Sequence, residues 1–454
     1  MRLERLSLRD FRCFDELTIE FDPKLTVIIA ENGAGKTAIL DAIAIGFGRF
    51  LTKLPGISGR SFKPSDIRIN NGDRSERFLM VQWEAKIEED RSIVWSGGRR
   101  RHGSVSAASV LRALSSLPDN LFKYGYKQID DFALHLIKAD EDNSEYLLPV
   151  IAYYGTNRAI RDEVASRRGF KKQFVRFEAL TGALDPDSRF RAAFEWFTAM
   201  EDQERREKES RRDFDYRQPE LQLVRDAIVR MLPDGFMNPR TEIRPLRFVI
   251  DRQMPDGMTR TLRISQLSDG YRVVMGLVMD LARRMAQANS QISAPRMEDI
   301  NPLDLPAVAL IDEVDLHLHP AWQQHVLSDL MRTFPGTQFI VTTHSPQVLS
   351  TVKRENIRII GADPHGKIIA ARPLAMTYGE PSGDVLHSVM MVDPQPPVSE
   401  KADLQKLTEW IDLGSYDRPE AIDLMHKLSA ALGAQHPQLQ RLQRSIQRQE
   451  ALKK

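Results

Sequence analysis

The sequence predicts an α/β fold in which a sheet-based head is interrupted by a helical lobe and followed by a helical tail. Three observations lead to this prediction. Residues 25–29 form a continuous apolar run rich in β-branched side chains, and a glycine-bearing loop and a helical pattern follow it. Residues 307–311 and 339–343 repeat the apolar pattern of buried strands. Residues from about 160 to 235 and from 399 to 454 have helical periodicity.

Composition excludes several classes of protein. The 454 residues carry 64 Lys+Arg against 63 Asp+Glu, which excludes a uniformly basic nucleic-acid coat but leaves room for local basic patches. The single cysteine, Cys13, excludes a disulfide framework and a cysteine-rich zinc site, and it fits a reducing compartment. Charges alternate at the N-terminus, and no apolar run reaches the ~18 residues of a membrane span. We therefore expect a cytoplasmic protein.

The chain is predicted to divide into four segments. In chain order these are the first half of the head, the helical lobe, the second half of the head and the helical tail, at residues 1–158, 159–240, 241–393 and 394–454. Two hairpin turns are predicted within the head. One lies at Pro255-Asp256-Gly257 and the other at Gly97-Gly98-Arg99-Arg100-Arg101.

A glycine-bearing loop, residues 30–37 (Ala-Glu-Asn-Gly-Ala-Gly-Lys-Thr), lies between the first core strand and a helix. Small residues here let backbone N–H groups converge on a phosphate, and the helix start adds partial positive charge. Lys36 would bridge the β- and γ-phosphates of a nucleotide, and the Thr37 hydroxyl would bind Mg²⁺. Ala30 replaces the first glycine of the usual pattern, which costs little if its φ is negative. The predicted nucleotide-binding residues of the loop are Asn32, Gly33, Ala34, Gly35, Lys36 and Thr37.

Two carboxylates, Asp312 and Glu313, end the apolar run at residues 307–311. Adjacent residues of a strand point to opposite sides, so the two acids are predicted to have different tasks. Asp312 suits the outer shell of Mg²⁺, and Glu313 suits orienting and deprotonating an attacking water. His344 ends the next apolar strand and can donate to a γ-phosphate. We therefore predict Glu313 and His344 as catalytic residues and Asp312, with Thr37, as a metal ligand.

The segment Leu267-Ser268-Asp269-Gly270-Tyr271 follows a strand and begins a helix. It resembles the signature L-S-G-G-x of the ATP-binding-cassette superfamily, and Asp315, just after the acidic pair, resembles the family's D-loop aspartate. The resemblance implies an ATPase head whose site is shared between two protomers. Ser268, Asp269 and Gly270 of one protomer would face the γ-phosphate held by the other. Asp269 replaces a glycine of the family pattern, which would affect the rate of hydrolysis more than binding.

Other features resemble the SMC, RecF and OLD-like branch of that superfamily. The signature lies 232 positions after Lys36, which leaves room for a large helical insertion. The start Arg9-Asp10-Phe11-Arg12-Cys13-Phe14 is similar to the N-F-R-x-F start of this branch, and the resemblance implies that Arg12 contacts the nucleotide; a surface arginine on a strand edge is the alternative. Asn157 occupies the place of the family's Q-loop glutamine. The resemblance covers roughly residues 1–50 and 240–390.

Within this branch the chain is most similar to the PtuA proteins of Septu antiphage systems. The similarity rests on Tyr154-Gly155-Thr156-Asn157-Arg158, on the segment around Ser268, on His317-Leu318-His319-Pro320 and on the helical tail. It implies ATP and Mg²⁺ as cofactors, a homodimer or higher even-numbered oligomer, and an HNH endonuclease of the PtuB kind as partner. The tail lacks the clustered acids of a Toprim nuclease, so we expect no nuclease activity from this chain alone.

Two other functions remain open on the sequence. One is a RecF-like DNA-repair ATPase without a nuclease partner, and the other is a nucleotide-binding scaffold with little turnover, which Asp269 would favour. Two basic segments, at residues 99–102 and 167–172, are predicted as solvated surface, with DNA contact as the alternative. The histidines at 317, 319 and 325 lack accompanying ligands, so a zinc site there is not expected. The tail is predicted to be a docking or oligomerisation face.

Overall fold

The computed structural model describes residues 1–69, 78–88, 90–100, 125–158, 174–187, 190–290, 301–433 and 435–453. Its strands, in chain order, are β1 (Arg2–Phe11), β2 (Phe14–Glu20), β3 (Leu25–Ala30), β4 (Phe78–Glu88), β5 (Arg91–Arg100), β6 (Val150–Tyr154), β7 (Phe236–Ile243), β8 (Leu246–Gln253), β9 (Thr259–Arg263), β10 (Ala307–Ile311), β11 (Thr337–Thr342), β12 (Ile357–Ala362) and β13 (Ile368–Ala371). The strands predicted at residues 25–29, 307–311 and 339–343 are therefore confirmed as β3, β10 and β11.

The helices, in chain order, are α1 (Lys36–Leu51), α2 (Lys127–Glu141), α3 (Phe190–Arg211), α4 (Pro219–Met231), α5 (Asp269–Ala288), α6 (Pro320–Gln323), α7 (Val326–Thr333), α8 (Pro346–Leu349), α9 (Ser382–Ser388), α10 (Lys401–Asp412), α11 (Pro419–Leu432) and α12 (Pro437–Lys453). Short 3₁₀ turns lie at Pro64–Asp66, Phe177–Leu180, Ile264–Gln266, Pro302–Asp304 and Arg354–Asn356. Among the described residues, no helix combines the length and the hydropathy that crossing a bilayer requires.

A six-stranded sheet positions the candidate site. Its strand order is β13-β12-β3-β11-β10-β6, and every neighbouring pair is parallel except β12 and β13. Strands β3, β10 and β6 are buried on both faces, which explains why they are continuous apolar runs. Because parallel strands end at the same edge of a sheet, the segments that follow β3, β10, β11 and β6 are brought to one edge.

Helix α1 lies between this sheet and a four-stranded antiparallel sheet of order β2-β1-β4-β5. Nearly all of its residues are buried, including the glycine at 46, where the Trp83 indole lies against the backbone. The Trp83 indole donates to the Ala42 carbonyl (2.9 Å), and Trp95, opposite Trp83 in the sheet, donates to the Gly46 carbonyl (3.2 Å). These contacts hold the helix that begins at Lys36 in a fixed place.

The hairpin turn predicted at residues 97–101 is wrong. Strands β4 and β5 pair with the turn after Glu88, and Gly97 and Gly98 lie inside β5, opposite Val81 and Met80. A Cβ on Gly97 would overlap the Tyr126 hydroxyl, so this glycine permits a close approach and makes no turn. By contrast, the hairpin predicted around residues 255–257 is confirmed, because β8 and β9 pair across it.

The helical lobe contains α3 and α4 and adjoins a three-stranded antiparallel sheet, β7-β8-β9. A buried carboxylate joins the three elements: Glu201 of α3 accepts from Arg225 of α4 (3.1 Å) and from the Thr241 N–H of β7 (3.0 Å). Helix α5 contacts both α3 and α4. The predicted helices between about 160 and 235 are confirmed for α3 and α4, and residues 159–173 lie outside the described part of the chain.

Two compact units make up the chain, Met1–Val385 and Leu386–Lys454. The second unit has its own apolar core, to which α10, α11 and α12 all contribute. The core is formed by Leu404, Leu407, Ile411, Ala421, Leu428, Leu439 and Leu442, with Trp410 and Tyr416 packed against it. The predicted division into four segments at 158, 240 and 393 remains a prediction.

Candidate functional site

The phosphate-binding loop follows β3 and leads directly into α1. Gly35 is the N-cap residue of α1, and its φ of 97° is a left-handed conformation that favours glycine. A Cβ on Gly35 would lie 2.5 Å from Cys13 Sγ, so the turn between β1 and β2 packs against the loop. Ala30 ends β3 and is not among the residues with positive φ, so alanine in place of the usual glycine is free of strain.

Lys36 is buried at the first position of α1. Its ammonium donates to the carbonyls of Ala30 (3.0 Å) and Glu31 (3.2 Å) on the same loop. Burial lowers the pKa of Lys36, and the negative charges of Asp312 and Glu313 act in the opposite direction. Lys36 is therefore close enough to Asp312 and Glu313 to interact with their charges. The fold brings these segments together over a long sequence distance, since Thr37 and Asp312 are 275 positions apart.

The Thr37 hydroxyl donates directly to Asp312 Oδ2 (2.8 Å). The other carboxylate oxygen of Asp312 accepts from the Thr342 hydroxyl (2.6 Å) at the end of β11. A hydroxyl and a carboxylate oxygen side by side are the hard ligands that Mg²⁺ prefers. The predicted metal pair, Thr37 and Asp312, is therefore brought together, and Thr342 orients it.

The acidic pair does not continue strand β10, which corrects the predicted reason for the separation of the two acids. The strand ends at Ile311, and Glu313 has a φ of 47°, in the left-handed region. The Glu313 N–H donates to Thr342 Oγ1 (2.8 Å). The backbone therefore makes a left-handed turn at Glu313 and does not continue the alternation of the strand.

Arg158 is a residue that the sequence reasoning missed. It is buried, and its guanidinium donates to the carbonyls of Gly155 (2.9 Å), Asp312 (2.5 Å) and Glu313 (2.5 Å). Burial lowers the pKa of Arg158 to about 10, while Asp312, Asp315 and Glu313 oppose that shift, so it is charged at neutral pH. Its neighbour Asn157, predicted as the Q-loop residue, is exposed.

Arg12 lies in the turn that packs on the phosphate loop, and two carboxylates hold it. Its guanidinium contacts Asp41 of α1 (2.7 Å) and Asp66 (2.9 Å). Asp41 also pairs with Arg60 (2.8 Å). This arrangement fixes Arg12 beside the loop, and its predicted contact with a nucleotide remains a prediction.

The signature-like segment begins helix α5. Ser268 is its N-cap residue and, like Asp269, is exposed, and the Asp269 carboxylate pairs with Arg272 on the next turn. Gly270 is buried, and a Cβ there would lie 2.7 Å from the carbonyl oxygen of His317. The start of α5 therefore packs directly against the segment that follows the acidic pair.

The remaining predicted residues lie in that neighbourhood or outside the site. Asp315 accepts from the Thr343 hydroxyl (2.5 Å), and His344 follows β11 and is partly exposed. His319 caps α6 by accepting from the Ala321 N–H (3.2 Å). No group of three possible metal ligands of the His, Cys, Asp and Glu types occurs within the described residues.

The two basic segments have different outcomes. Arg99 lies in β5 and donates to the Phe62 carbonyl (3.0 Å), so the first segment is not the tip of a turn. Residues 101 and 102 and the whole second segment, 167–172, lie outside the described part of the chain.

A buried network of hydrogen bonds and ion pairs connects α5, here called the signature helix, to strand β6. Asp280 of α5 accepts from the Tyr154 hydroxyl (3.0 Å), from Arg283 (2.8 Å) and from Arg284 (2.6 Å). Burial by itself would raise the pKa of Asp280, but Arg284 and Arg283 outweigh it and lower this pKa to about 2. Burial, reinforced by Asp280, raises the pKa of Tyr154. The helix is therefore anchored to the strand that leads to Arg158.

Two family models match the chain. The model described as “AAA domain” matches residues 5–228, and the model described as “AAA domain, putative AbiEii toxin, Type IV TA system” matches residues 175–350. Together they cover both halves of the head. With the strand, loop and helix arrangement around Lys36 and the acidic residues beside it, they support an α/β ATPase head.

Curated relatives narrow this class. The chain is 25% identical to “Retron Ec83 probable ATPase” of Escherichia coli over 420 residues, which are 79% of this chain and 71% of that one. It is 27% identical to “Retron Vc95 probable ATPase” of Vibrio cholerae serotype O1 biovar El Tor over 433 residues, 85% and 78% of the two chains. A shorter match, 31% identical over 132 residues, covers 27% of this chain and 17% of “Septu protein PtuA” of Bacillus mycoides (strain KBAB4).

Among solved structures, an SMC head domain from Thermotoga maritima is similar with a TM-score of 0.40 and 16% identity, over 83% of this chain and 100% of that one. The chain is also similar to ATPases of the SMC/RecF class, with “DNA replication and repair protein RecF” of Magnetococcus marinus (strain ATCC BAA-1437 / JCM 17883 / MC-1) 30% identical over 122 residues, 27% of this chain and 32% of that one. It is related to the retron ATPases and to the Septu protein PtuA.

Proposed function

We propose that this chain binds and hydrolyses ATP at a site shared between two copies, and that ATP-dependent engagement of the heads regulates a DNA-targeting partner. The observation that carries the proposal is the contact between Thr37 and Asp312, because it unites a phosphate loop with an acidic strand end. Lys36 lies in the field of both acids. These are the parts that phosphoryl transfer requires: a phosphate cradle, a metal pair and a carboxylate near the reacting phosphate.

The residues present fit a nucleoside triphosphate with Mg²⁺. The left-handed backbone at Gly33 and Gly35 and the open N-terminus of α1 direct N–H groups toward an anion. Thr37 and Asp312 would hold the metal, which would neutralise charge on the β- and γ-phosphates. Asn32 and Ala34 would complete the cradle with their backbone groups.

Glu313 is proposed as the general base. It follows Asp312, whose two carboxylate oxygens accept from Thr37 and Thr342, and it has a left-handed backbone. In this proposal the Glu313 carboxylate orients a water while Asp312 serves the metal. His344, which follows β11 directly after Thr343, would donate to the γ-phosphate. The neighbouring Thr343 hydroxyl donates to Asp315, so loss of the phosphate from His344 would be transmitted through Thr343 to Asp315.

The second half of the site would come from another copy of the chain. Ser268 and Asp269 are exposed at the start of α5, whereas Gly270 packs on the segment that contains Asp315. An exposed helix start with free N–H groups suits a γ-phosphate bound by a partner. The pairing of Asp269 with Arg272 offsets the carboxylate charge at this helix start, which weakens the case for a scaffold without turnover.

Glu313→Gln tests the proposed chemistry. The amide cannot accept a proton, so we expect ATP binding to persist, kcat to fall at least about 100-fold, and an ATP-dependent dimer to accumulate. Steady-state turnover, ATP binding by calorimetry and light scattering with and without ATP measure these three quantities. Turnover equal to that of the wild type would contradict the assignment of the base.

Lys36→Ala is the matched variant for binding. Loss of the ammonium removes the cation that would contact the β- and γ-phosphates, so we expect ATP affinity to fall beyond detection and the ATP-dependent dimer to disappear. The thermal stability of the ligand-free protein separates this result from misfolding. Wild-type affinity in a folded Lys36→Ala protein would remove the support for the phosphate cradle.

The proposed partner is an HNH endonuclease in an antiphage system, as the likeness to PtuA suggests. A RecF-like repair ATPase without a nuclease is the second candidate, since RecF proteins are also among the relatives. A pull-down with the tagged chain from its native host distinguishes them. An HNH protein in the eluate supports defence, and replication proteins would support repair.

A further inference from the structure

Arg158 contacts the backbone of Asp312 and Glu313, and the proposed chemistry gives it no role. Its side chain is 4% exposed. One terminal nitrogen donates to the carbonyls of Gly155 and Asp312, and the other donates to the carbonyl of Glu313. Arg158 therefore joins the end of β6 to the end of β10 through three backbone carbonyl acceptors.

The backbone carbonyls of Asp312 and Glu313 lie on the two sides of the Glu313 Cα, so contacts to them restrain the backbone of Glu313. The Asp312 carbonyl belongs to the peptide plane before the Glu313 Cα, and the Glu313 carbonyl belongs to the plane after it. The orientation of these two planes defines φ and ψ of Glu313. By binding both carbonyls, one planar guanidinium fixes the rotation on both sides of that Cα.

Such fixing is needed because Glu313 has a left-handed backbone. A φ of 47° costs a non-glycine residue on the order of 1–2 kcal/mol, and it persists only where the surroundings hold it. Thr342 supplies one restraint by accepting from the Glu313 N–H (2.8 Å). Arg158 supplies the restraint on the carbonyl side, so the two residues together determine where the Glu313 carboxylate points.

We infer that Arg158 is a positioning residue for the general base: it fixes the left-handed turn at Glu313 and thereby places the carboxylate that orients the attacking water. This inference rests on the proposed function and adds a residue to it. It also gives the segment after β6 a task, because Arg158 reaches the acidic segment from that strand. Asn157, the neighbour of Arg158, is exposed.

The test compares Arg158→Lys with Arg158→Met in full-length protein. Lysine keeps the charge but cannot present a planar fork to two carbonyls, and methionine removes every donor. Because a misplaced group costs about 10- to 100-fold in rate, we expect kcat to fall by that factor in Arg158→Met and by less in Arg158→Lys. ATP affinity should stay within about threefold of the wild type, since neither variant alters the cradle.

Arg176→Met is the matched control. Arg176 is also a buried arginine that donates to two backbone carbonyls, those of Ala288 (2.9 Å) and Tyr146 (3.0 Å), in another part of the head. It also lies 3.9 Å from a carboxylate oxygen of Asp140. If a buried arginine acts only through stability, both methionine variants should lose thermal stability alike and keep kcat. We expect a loss of kcat only at Arg158. If Arg158→Met does not fold, Arg158→Lys against Arg176→Met gives the same comparison.

These measurements distinguish a failure of the positioning role of Arg158 from a failure of the proposed ATPase function. Wild-type kcat in a folded Arg158→Lys and Arg158→Met, or equal losses of kcat in Arg158→Met and Arg176→Met, would overturn the positioning role. In the Glu313→Gln background, Arg158→Met should cause no further loss, and a further loss of tenfold or more would also overturn it. Absence of turnover in the wild type would instead refute the proposed function.

Discussion

Gly270 is a residue whose importance comes from what it touches and not from its backbone conformation. Gly270 is the second residue of α5, and a Cβ added there would lie 2.7 Å from the carbonyl oxygen of His317. A backbone oxygen cannot move aside as a flexible side chain can. The contact therefore sets how closely the start of the signature helix approaches the segment after the acidic pair.

Gly270→Ala should separate these two segments. Because the clash is with backbone, we expect a loss of about 1–3 kcal/mol in the free energy of unfolding and a fall in kcat, since the start of α5 would move away from the segment that contains His317. Gly361→Ala is the control, because a Cβ there meets nothing within 4 Å and should change stability by less than about 0.5 kcal/mol. Denaturant unfolding and turnover measure both variants; equal effects would contradict the steric argument.

At this scale the sequence predicts residues whose motif implies their chemistry, and it misses those whose role depends on contacts made across the fold. Lys36, Thr37 and Asp312 could be chosen from local patterns, and the structure brings them together. Arg158 and Thr342 act on the acidic segment from other strands, and nothing in their own neighbourhood shows which carbonyl or carboxylate they will meet. The left-handed turn at Glu313 was equally hidden, because glutamate carries no signal for it.

At the scale of elements, helix α5 carries a buried charge cluster along its length. Asp280 lies between Arg283 and Arg284 and accepts from Tyr154, and all three charged residues are at most 4% exposed. Arg284 also donates to the carbonyls of Ala179 and Thr181. Asp280 and Arg284 together thus link helix α5, strand β6 and the 3₁₀ turn at Phe177–Leu180.

Asp280→Asn should be strongly destabilising and its effect should depend on pH. Loss of the charge leaves two buried arginines unpaired, which costs about 3–5 kcal/mol at neutral pH. The folded pKa of about 2 lies below the ordinary value of 3.8, so the contribution is fully present above that value and is lost as pH falls through about 2. The difference in Tm between wild type and variant should therefore narrow below pH 4.

Glu207→Gln is the control for this prediction. Glu207 and Arg211 form an exposed pair on α3 with the same spacing of four residues as Asp280 and Arg284. Exposed pairs contribute roughly 0–1 kcal/mol, so this variant should be close to wild type at every pH. A flat difference between wild type and Asp280→Asn from pH 7 to pH 3 would contradict the role of the ionised carboxylate.

Element prediction succeeded where burial dictates the pattern. Strands β3, β10 and β11 are buried on both faces, and each has an apolar run that could be predicted within two residues of the strand's ends. It failed at Gly97 and Gly98, where a pair of glycines indicated a turn. There the glycines accommodate Tyr126 from a distant segment, and local sequence cannot distinguish close packing from a turn.

At the scale of the whole molecule, the second unit should fold without the first. Its core is formed entirely by residues of α10, α11 and α12. We expect residues 386–453, expressed alone, to be helical by circular dichroism and to unfold cooperatively. A unit of this size has only about 3–5 kcal/mol of stability, so the unfolding transition should be at a modest denaturant concentration.

Two variants probe that core. Leu428→Ala removes a fully buried side chain and should cost about 2–5 kcal/mol, enough to abolish cooperative unfolding of the isolated unit. Leu413→Ala changes a residue that is 79% exposed and should alter the free energy of unfolding by less than about 0.5 kcal/mol. An unfolded wild-type fragment, or equal effects of the two variants, would contradict an independent core.

The strand order of the parallel sheet has a consequence for synthesis. Strand β3, which carries the phosphate loop, pairs with β11 on one side and β12 on the other, and both come from the last third of the chain. Because a buried strand cannot be stable before its neighbours exist, the nucleotide pocket must assemble late, after the ribosome has released residue 362. A prematurely terminated product would therefore lack the pocket altogether and could not compete with complete copies for nucleotide.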